Sequence, residues 1–136
     1  MSLPVAIALG SNLGDREWHL RRAVHELSRV MRIVRVSRVY ETDAVDAPAG
    51  SPPFLNMALS ALTSLAPLPL LREMLAIERR LGRVRSGVRH EPRVIDLDLI
   101  FYDAQRMRSR ELELPHPRWQ ERDFVKLPLR EVWLAR

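Results

Sequence analysis

The chain has 136 residues, 46% of them hydrophobic and 29% charged, with a formal net charge of +5. That length suits one domain, residues 1–136, able to bury about two-thirds of its unfolded surface, and the balance is that of an ordinary soluble globular protein. The absence of cysteine excludes disulfides and thiolate metal sites, no apolar run approaches the roughly 18 residues of a membrane span, and the first residues lack the form of a secretory signal.

The expected location is therefore the cytoplasm, without membrane association. Lys126 is the one lysine and the other cations are arginines, a field that attracts polyanions as a class without choosing among nucleic acid, nucleotide and acidic lipid.

Along the chain, Pro4 to Gly10 is a continuous apolar run that reads as a central strand. Ser11-Asn12-Leu13-Gly14-Asp15 is a turn with capping residues, open to reading as a phosphate cradle or as a plain strand-to-helix turn. From Arg16, the spacing of Trp18, Leu20, Ala23, Val24, Leu27 and Val30 predicts a helix of three to four turns. Val34 to Thr42 alternates with period two and predicts a second strand with one face buried. Asp43 to Pro53 is a loop, and Phe54 to Leu62 a third strand. A helix opens near Pro67 and runs to Gly82, a C-terminal cap.

A basic stretch follows, with Arg83, Arg85, Arg89, His90 and Arg93, and then a strand through Tyr102. Leu112 to Arg118 is too rich in proline for a regular helix, and Leu127 to Leu134 is a short terminal helix. The order β-α-β-β-α-β is the α+β, ferredoxin-like pattern, two helices on one face of an antiparallel sheet.

Chemistry concentrates in Arg93-Val94-Ile95-Asp96-Leu97-Asp98-Leu99-Ile100. Side chains alternate along a strand, so Asp96 and Asp98 share one face while Ile95, Leu97 and Leu99 take the other. Two like charges about 6–7 Å apart repel and call for a cation. Mg²⁺, which takes one or two carboxylates plus substrate phosphates, suits them, and the arginines upstream match phosphate oxygens in bidentate geometry. Carboxylates for metal beside arginines for phosphate point to a nucleotide-using enzyme.

Four further residues stand out. Asn56, an amide in an apolar strand, must find partners and suits a heterocycle with donors and acceptors. His116, held between prolines, is placed to touch a phosphate or to pack. Phe124, beside Arg122, is placed to stack a ring or to join the core. Glu78, one turn before Gly82, reads as a partner for one of the arginines or as a solvated helix residue.

Ordered motifs then carry a resemblance over nearly the whole chain: Ala8 to Gly14, Tyr40-Glu41-Thr42, Phe54-Leu55-Asn56, Ile77-Glu78, Leu81 to Arg85, Glu91 to Asp98, Leu114 to Arg118 and Arg122 to Val125. The chain resembles the 6-hydroxymethyl-7,8-dihydropterin pyrophosphokinase family of folate biosynthesis. The resemblance implies transfer of the β,γ-diphosphate of ATP to the pterin hydroxymethyl oxygen, with ATP and 6-hydroxymethyl-7,8-dihydropterin as small-molecule substrates and AMP released. It implies that Asp96 and Asp98 hold two Mg²⁺ ions and that Arg83 and Arg93 neutralise developing charge. Arg85, His116 and Arg122 would bind ATP. Thr42, Val45, Phe54, Asn56 and Phe124 would bind the pterin. A monomer is expected.

The chain departs from the family at His90 and Glu91, where an aromatic and a glycine are common, so weaker loop closure and a higher KM are expected. Glu111 and Leu75 replace other contact residues and carry no role. Two rival readings are an RNA-binding ferredoxin-like module and a pyrophosphokinase-like binder without turnover. The first is disfavoured by an aromatic content of 6% without an RNP-like motif, and by aspartates that would repel a phosphate backbone; no nucleic-acid partner is expected. AMP formation separates the second from the active enzyme.

Overall fold

A computed structural model describes residues 1–43, 49–83 and 93–133. Its elements are β1 (Leu3–Ser11), α1 (Arg16–Ser28), β2 (Arg32–Val36), β3 (Tyr40–Thr42), β4 (Phe54–Thr63), α2 (Pro67–Arg80), β5 (Asp96–Tyr102), β6 (Met107–Arg108), β7 (Glu113–Leu114) and α3 (Asp123–Val132). The main sheet runs β2-β4-β1-β5, with β3 also on β4 and every pairing antiparallel. Taking β2 and β3 as two lengths of one broken edge strand, this is the ferredoxin-like α+β order read from the sequence.

The strands sort by what covers them. β1 is buried from Val5 through Ser11, as a central strand with both faces covered must be. One face of the sheet presents Val5, Ile7, Leu9, Leu59, Leu97 and Leu99 to Leu20 and Leu27 of α1 and to Leu70, Met74 and Ile77 of α2. Each fully buried side chain of this size contributes about 1.5–3 kcal/mol. The other face presents Ala6, Ala8, Ala58 and Ile100 to Val125, Leu129 and Val132 of α3. Small residues there let α3 lie close.

Local chemistry sets the helix ends. The Asp15 carboxylate accepts the Trp18 N–H at 3.1 Å and caps α1. Pro67 starts α2, where a missing N–H costs nothing, and Gly82 follows its end at φ +97°, a left-handed conformation suited to glycine.

The structure departs from the sequence reading in three places. The expected second strand is interrupted at Ser37–Val39, where the Ser37 hydroxyl takes the Ala58 N–H at 2.8 Å, and its predicted buried face is lost: Val34 and Val36 are exposed on the sheet edge. Trp18, counted with the apolar face of α1, is 54% exposed and packs edge-on against His19. The terminal helix begins at Asp123 rather than Leu127, carries Pro128, and covers the face opposite the other two helices.

Candidate active site

Antiparallel partners share a face, so the register puts Asn56 of β4, Gly10 of β1 and Asp96 of β5 side by side in one row across the sheet. The next row is Ala58, Ala8 and Asp98. Strand spacing of about 4.8 Å separates Asn56 from Asp96 by roughly 10 Å, with glycine between them. A Cβ at Gly10 would lie 3.4 Å from Phe54 Cδ1 and 3.5 Å from Asn56 Oδ1, so Phe54 and Asn56 lean over that bare position. β3 extends the first row, since Tyr40 pairs with Asn56. The Asn56 amide donates to Thr42 Oγ1 at 2.7 Å and to the Tyr40 carbonyl at 3.5 Å, which orients it while it stays 5% exposed.

At the β5 end, one guanidinium nitrogen organises three carbonyl-type acceptors. Arg83 NH1 donates to Asp96 Oδ1 at 2.6 Å, to Glu78 Oε2 at 2.9 Å and, more weakly, to the Ile95 carbonyl at 3.4 Å. Glu78 is buried on α2 and also accepts the Leu97 N–H at 2.7 Å. Of its two sequence readings, partner of an arginine is the one found, and the solvated helix residue is not. Burial works against the Arg83 charge, but Asp96 and Glu78 outweigh it and raise its pKa above the usual value. Arg93 NH1 donates to the other Asp96 oxygen, Oδ2, at 3.0 Å. Each Asp96 oxygen thus holds an arginine and keeps a further lone pair for another partner.

Asp98 has a different environment. Burial first, then the charges of Asp96 and Glu78, push its carboxyl up to about 7 against the pull of Arg122 and Arg83. Its native pKa lies above the unfolded value of about 3.9, so the folded state binds more protons and loses stability as pH rises from about 4 through 7. Asp98→Asn is therefore expected to raise Tm in chelator at pH 8, by an amount worth roughly 1–3 kcal/mol, with the gain fading as pH falls toward about 4. Thermal melts across pH check this; a lower Tm at pH 8, or a gain independent of pH, would contradict it.

The approach to these carboxylates is lined from α3 and the preceding turn. The His116 N–H donates to the Ile100 carbonyl at 2.9 Å, fixing the Pro-His-Pro turn against β5. Burial and then Arg122 lower the His116 pKa, with Asp96 and Glu113 opposing, so the ring is neutral near pH 7. Its Nδ1 accepts the Arg118 N–H at 3.3 Å, which places the proton on Nε2 as a donor. Arg122 lies over the Phe124 ring, 5.7 Å from its centroid. Its positive charge acts on both Asp98 and His116.

A tie absent from the sequence reading fixes the far end of α3. Glu131 accepts the Arg38 N–H at 3.0 Å and the Tyr40 hydroxyl, and these bonds hold its carboxyl below the usual range. The helix that carries Phe124 and begins just after Arg122 is thereby fastened to the strand that carries Thr42.

Register and side-chain bonds thus bring Thr42, Phe54, Asn56, Arg83, Arg93, Asp96 and Asp98 to one end of the sheet, while His116 is bonded to β5 through Ile100 and Arg122 lies over Phe124 at the start of α3. Val45, Arg85, Arg89, His90 and Glu91 lie outside the described residues. Among the described residues no group of three or more His, Cys, Asp or Glu is arranged to hold a metal ion. The donor set is two aspartates with hard oxygen atoms, one of them destabilised as an anion by its surroundings. That set fits a cation whose remaining ligands come from substrate, the habit of Mg²⁺.

Comparison with known proteins follows this geometry. The family model for 7,8-dihydro-6-hydroxymethylpterin-pyrophosphokinase matches residues 6–134. The 2-amino-4-hydroxy-6-hydroxymethyldihydropteridine pyrophosphokinase of Bacillus subtilis is 45% identical over 128 residues, 93% of this chain and 75% of that protein. A mitochondrial folate synthesis bifunctional protein of Arabidopsis thaliana is 43% identical over 126 residues, 92% of this chain but 22% of the plant protein. In solved structures, the fold matches a Plasmodium falciparum HPPK-DHPS chain with a TM-score of 0.71 at 14% identity, covering 96% of this chain and 40% of that one. The chain belongs to the 7,8-dihydro-6-hydroxymethylpterin-pyrophosphokinase family.

Proposed function

We propose that this chain, as a single pyrophosphokinase domain, transfers the β,γ-diphosphate of ATP to the hydroxymethyl oxygen of 6-hydroxymethyl-7,8-dihydropterin in folate biosynthesis. The observation that carries this reading is the row Asn56–Gly10–Asp96. An amide suited to a heterocycle and a carboxylate suited to a metal–phosphate complex stand on one face with a glycine between them, over which Phe54 and Asn56 lean. The substrate oxygen bonds to the β-phosphorus as the bond from that phosphorus to the α–β bridging oxygen breaks, AMP departs, and the hydroxyl proton is released.

Asp96 and Asp98 would hold the metal, taken as two Mg²⁺ ions, and Mg²⁺ there would polarise the attacking hydroxyl and neutralise triphosphate charge. The residues of the chain do the rest by position. Arg83 is held by Glu78 and Arg93 by Asp96, so their charges are oriented before the bond to AMP breaks and need little reorganisation. Arg85, Arg122 and the Nε2–H of His116 would bind ATP phosphates. Phe54 and Phe124 would flank the pterin, Asn56 would read its edge, and Thr42 and Val45 would contribute from the adjoining segment. His90 and Glu91 in the basic stretch would raise KM without removing any of these groups.

Purified protein given ATP, Mg²⁺ and the pterin is expected to form AMP only when the pterin is present; ADP as product, or AMP formed regardless of pterin, would overturn the reading. Asn56→Ala is expected to raise the pterin KM about tenfold or more while changing the ATP KM little, because a site group left unpaired costs 1–3 kcal/mol. Steady-state titration of each substrate checks it. No helix among the described residues is long and apolar enough to cross a membrane. A cytoplasmic monomer without a nucleic-acid partner completes the proposal.

A further inference from the structure

We propose that Asn12 is a positioning residue that sets the catalytic arginine Arg93 against the pterin-binding strand; the inference rests on the activity proposed above. Asn12 follows β1 and is completely buried, and its Oδ1, its Nδ2 and its backbone N–H each have a partner distant in the chain. Its Oδ1 accepts the Arg93 N–H at 2.7 Å, and its own backbone N–H donates to the Arg93 carbonyl at 3.0 Å. One residue therefore grips the Arg93 backbone from both sides. Its Nδ2 meanwhile donates to the Pro52 carbonyl at 3.3 Å.

The proline pair explains why a side chain is needed there. Pro52 and Pro53 have no backbone N–H, so the segment leading into Phe54 and Asn56 can be fastened only through its carbonyls. Asn12 supplies a donor to the first, and Arg16 NH1 supplies one to the second at 2.9 Å. Arg16 continues to Glu41, at 3.3 Å, beside Thr42. The turn after β1 thus joins the two halves of the site, and Asn12 is the point where both meet. Its carboxamide offers an acceptor and a donor on two separate atoms, whereas serine carries both on one oxygen nearer the backbone and an ionised aspartate has no donor. A phosphate cradle is not needed to account for the buried amide, since Arg93 and Pro52 satisfy it.

The two arms are separable by substitution. Asn12→Ala removes both side-chain bonds and is expected to lower kcat about tenfold and raise the pterin KM about tenfold. Asn12→Asp keeps the acceptor for the Arg93 N–H and loses the donor to Pro52, so it is expected to keep kcat within about threefold while the pterin KM still rises about tenfold. In an Arg93→Ala background, Asn12→Ala is expected to lower kcat no further, because the effect on turnover passes through Arg93.

The experiment measures AMP formation by the four proteins with wild type, at saturating ATP and Mg²⁺ and varied pterin, alongside their circular dichroism. An equal loss in both parameters for both single variants, wild-type kinetics in Asn12→Ala, or the same further kcat loss in both backgrounds would overturn the proposal. If Asn12→Ala does not fold, the split between kcat and KM in Asn12→Asp decides alone. Wild type that makes no pterin-dependent AMP would instead remove the activity reading and this inference with it.

Discussion

Asp96→Ala and Asp98→Ala are each expected to lower pterin-dependent AMP formation about a thousandfold, the largest effects of any substitution in the chain. Two carboxylates on one face of β5 have a compensating cation only in part. Asp96 holds Arg83 and Arg93, whereas Asp98 is pushed up to about 7 by burial and by its acidic neighbours. In the proposed function a metal would supply the missing positive charge, with each carboxylate contributing a ligand oxygen to it. The two variants should differ in stability although they share the loss of turnover. Removing Asp96 leaves Arg93 without its carboxylate and is expected to destabilise the metal-free protein; removing the Asp98 charge relieves repulsion. Turnover assays and thermal melts in chelator check the pair. Retained turnover in either variant would place the metal–phosphate centre elsewhere.

Arg83→Ala is expected to combine a large loss of stability with a large loss of turnover. The guanidinium lies between two carboxylates, with its side chain 9% exposed and that of Glu78 3% exposed. Deleting one member of a buried ion-pair cluster costs about 3–5 kcal/mol, because the carboxylates left behind are still buried. kcat should fall a hundredfold or more, as a preorganised charge near the departing AMP is lost. Arg83→Lys keeps a charge, but its nitrogen ends one bond short of the NH1 position that meets all three acceptors, so it should recover more stability than activity. Urea unfolding and single-turnover rates separate these effects. An Arg83→Ala protein of unchanged stability would contradict the buried cluster, and one of unchanged rate would contradict the role of Arg83 in transfer.

The parts of this fold that were legible in the sequence are those governed by periodicity. Alternation along β5 gave Asp96 and Asp98 one face and Leu97 and Leu99 the other, and the apolar run of β1 marked a central strand, both as found. The edge was less legible. Val34 and Val36 alternate like half-buried residues, but a strand paired on one side only and interrupted at Ser37–Val39 leaves them in solvent. Trp18 has helical spacing and still faces outward, since periodicity shows that residues share a stripe and not that a neighbour covers each of them.

At the site, residue types announced the carboxylates and arginines, but the ties between them depend on contacts distant in sequence. Glu78 meets Leu97, Asn12 meets Arg93, and Glu131 meets Tyr40 only once the sheet is assembled. Gly10 was visible as the end of a strand; its place between Asn56 and Asp96 needed the register of three strands.

The most direct test of the transfer itself uses pterin labelled with ¹⁸O in the hydroxymethyl group, incubated with ATP, Mg²⁺ and the protein, followed by mass measurement of the pterin product. The account predicts a product carrying two added phosphoryl groups and retaining the label, because the pterin oxygen attacks the β-phosphorus. A product with one added phosphoryl group, or a diphosphate that has lost the label, would contradict it.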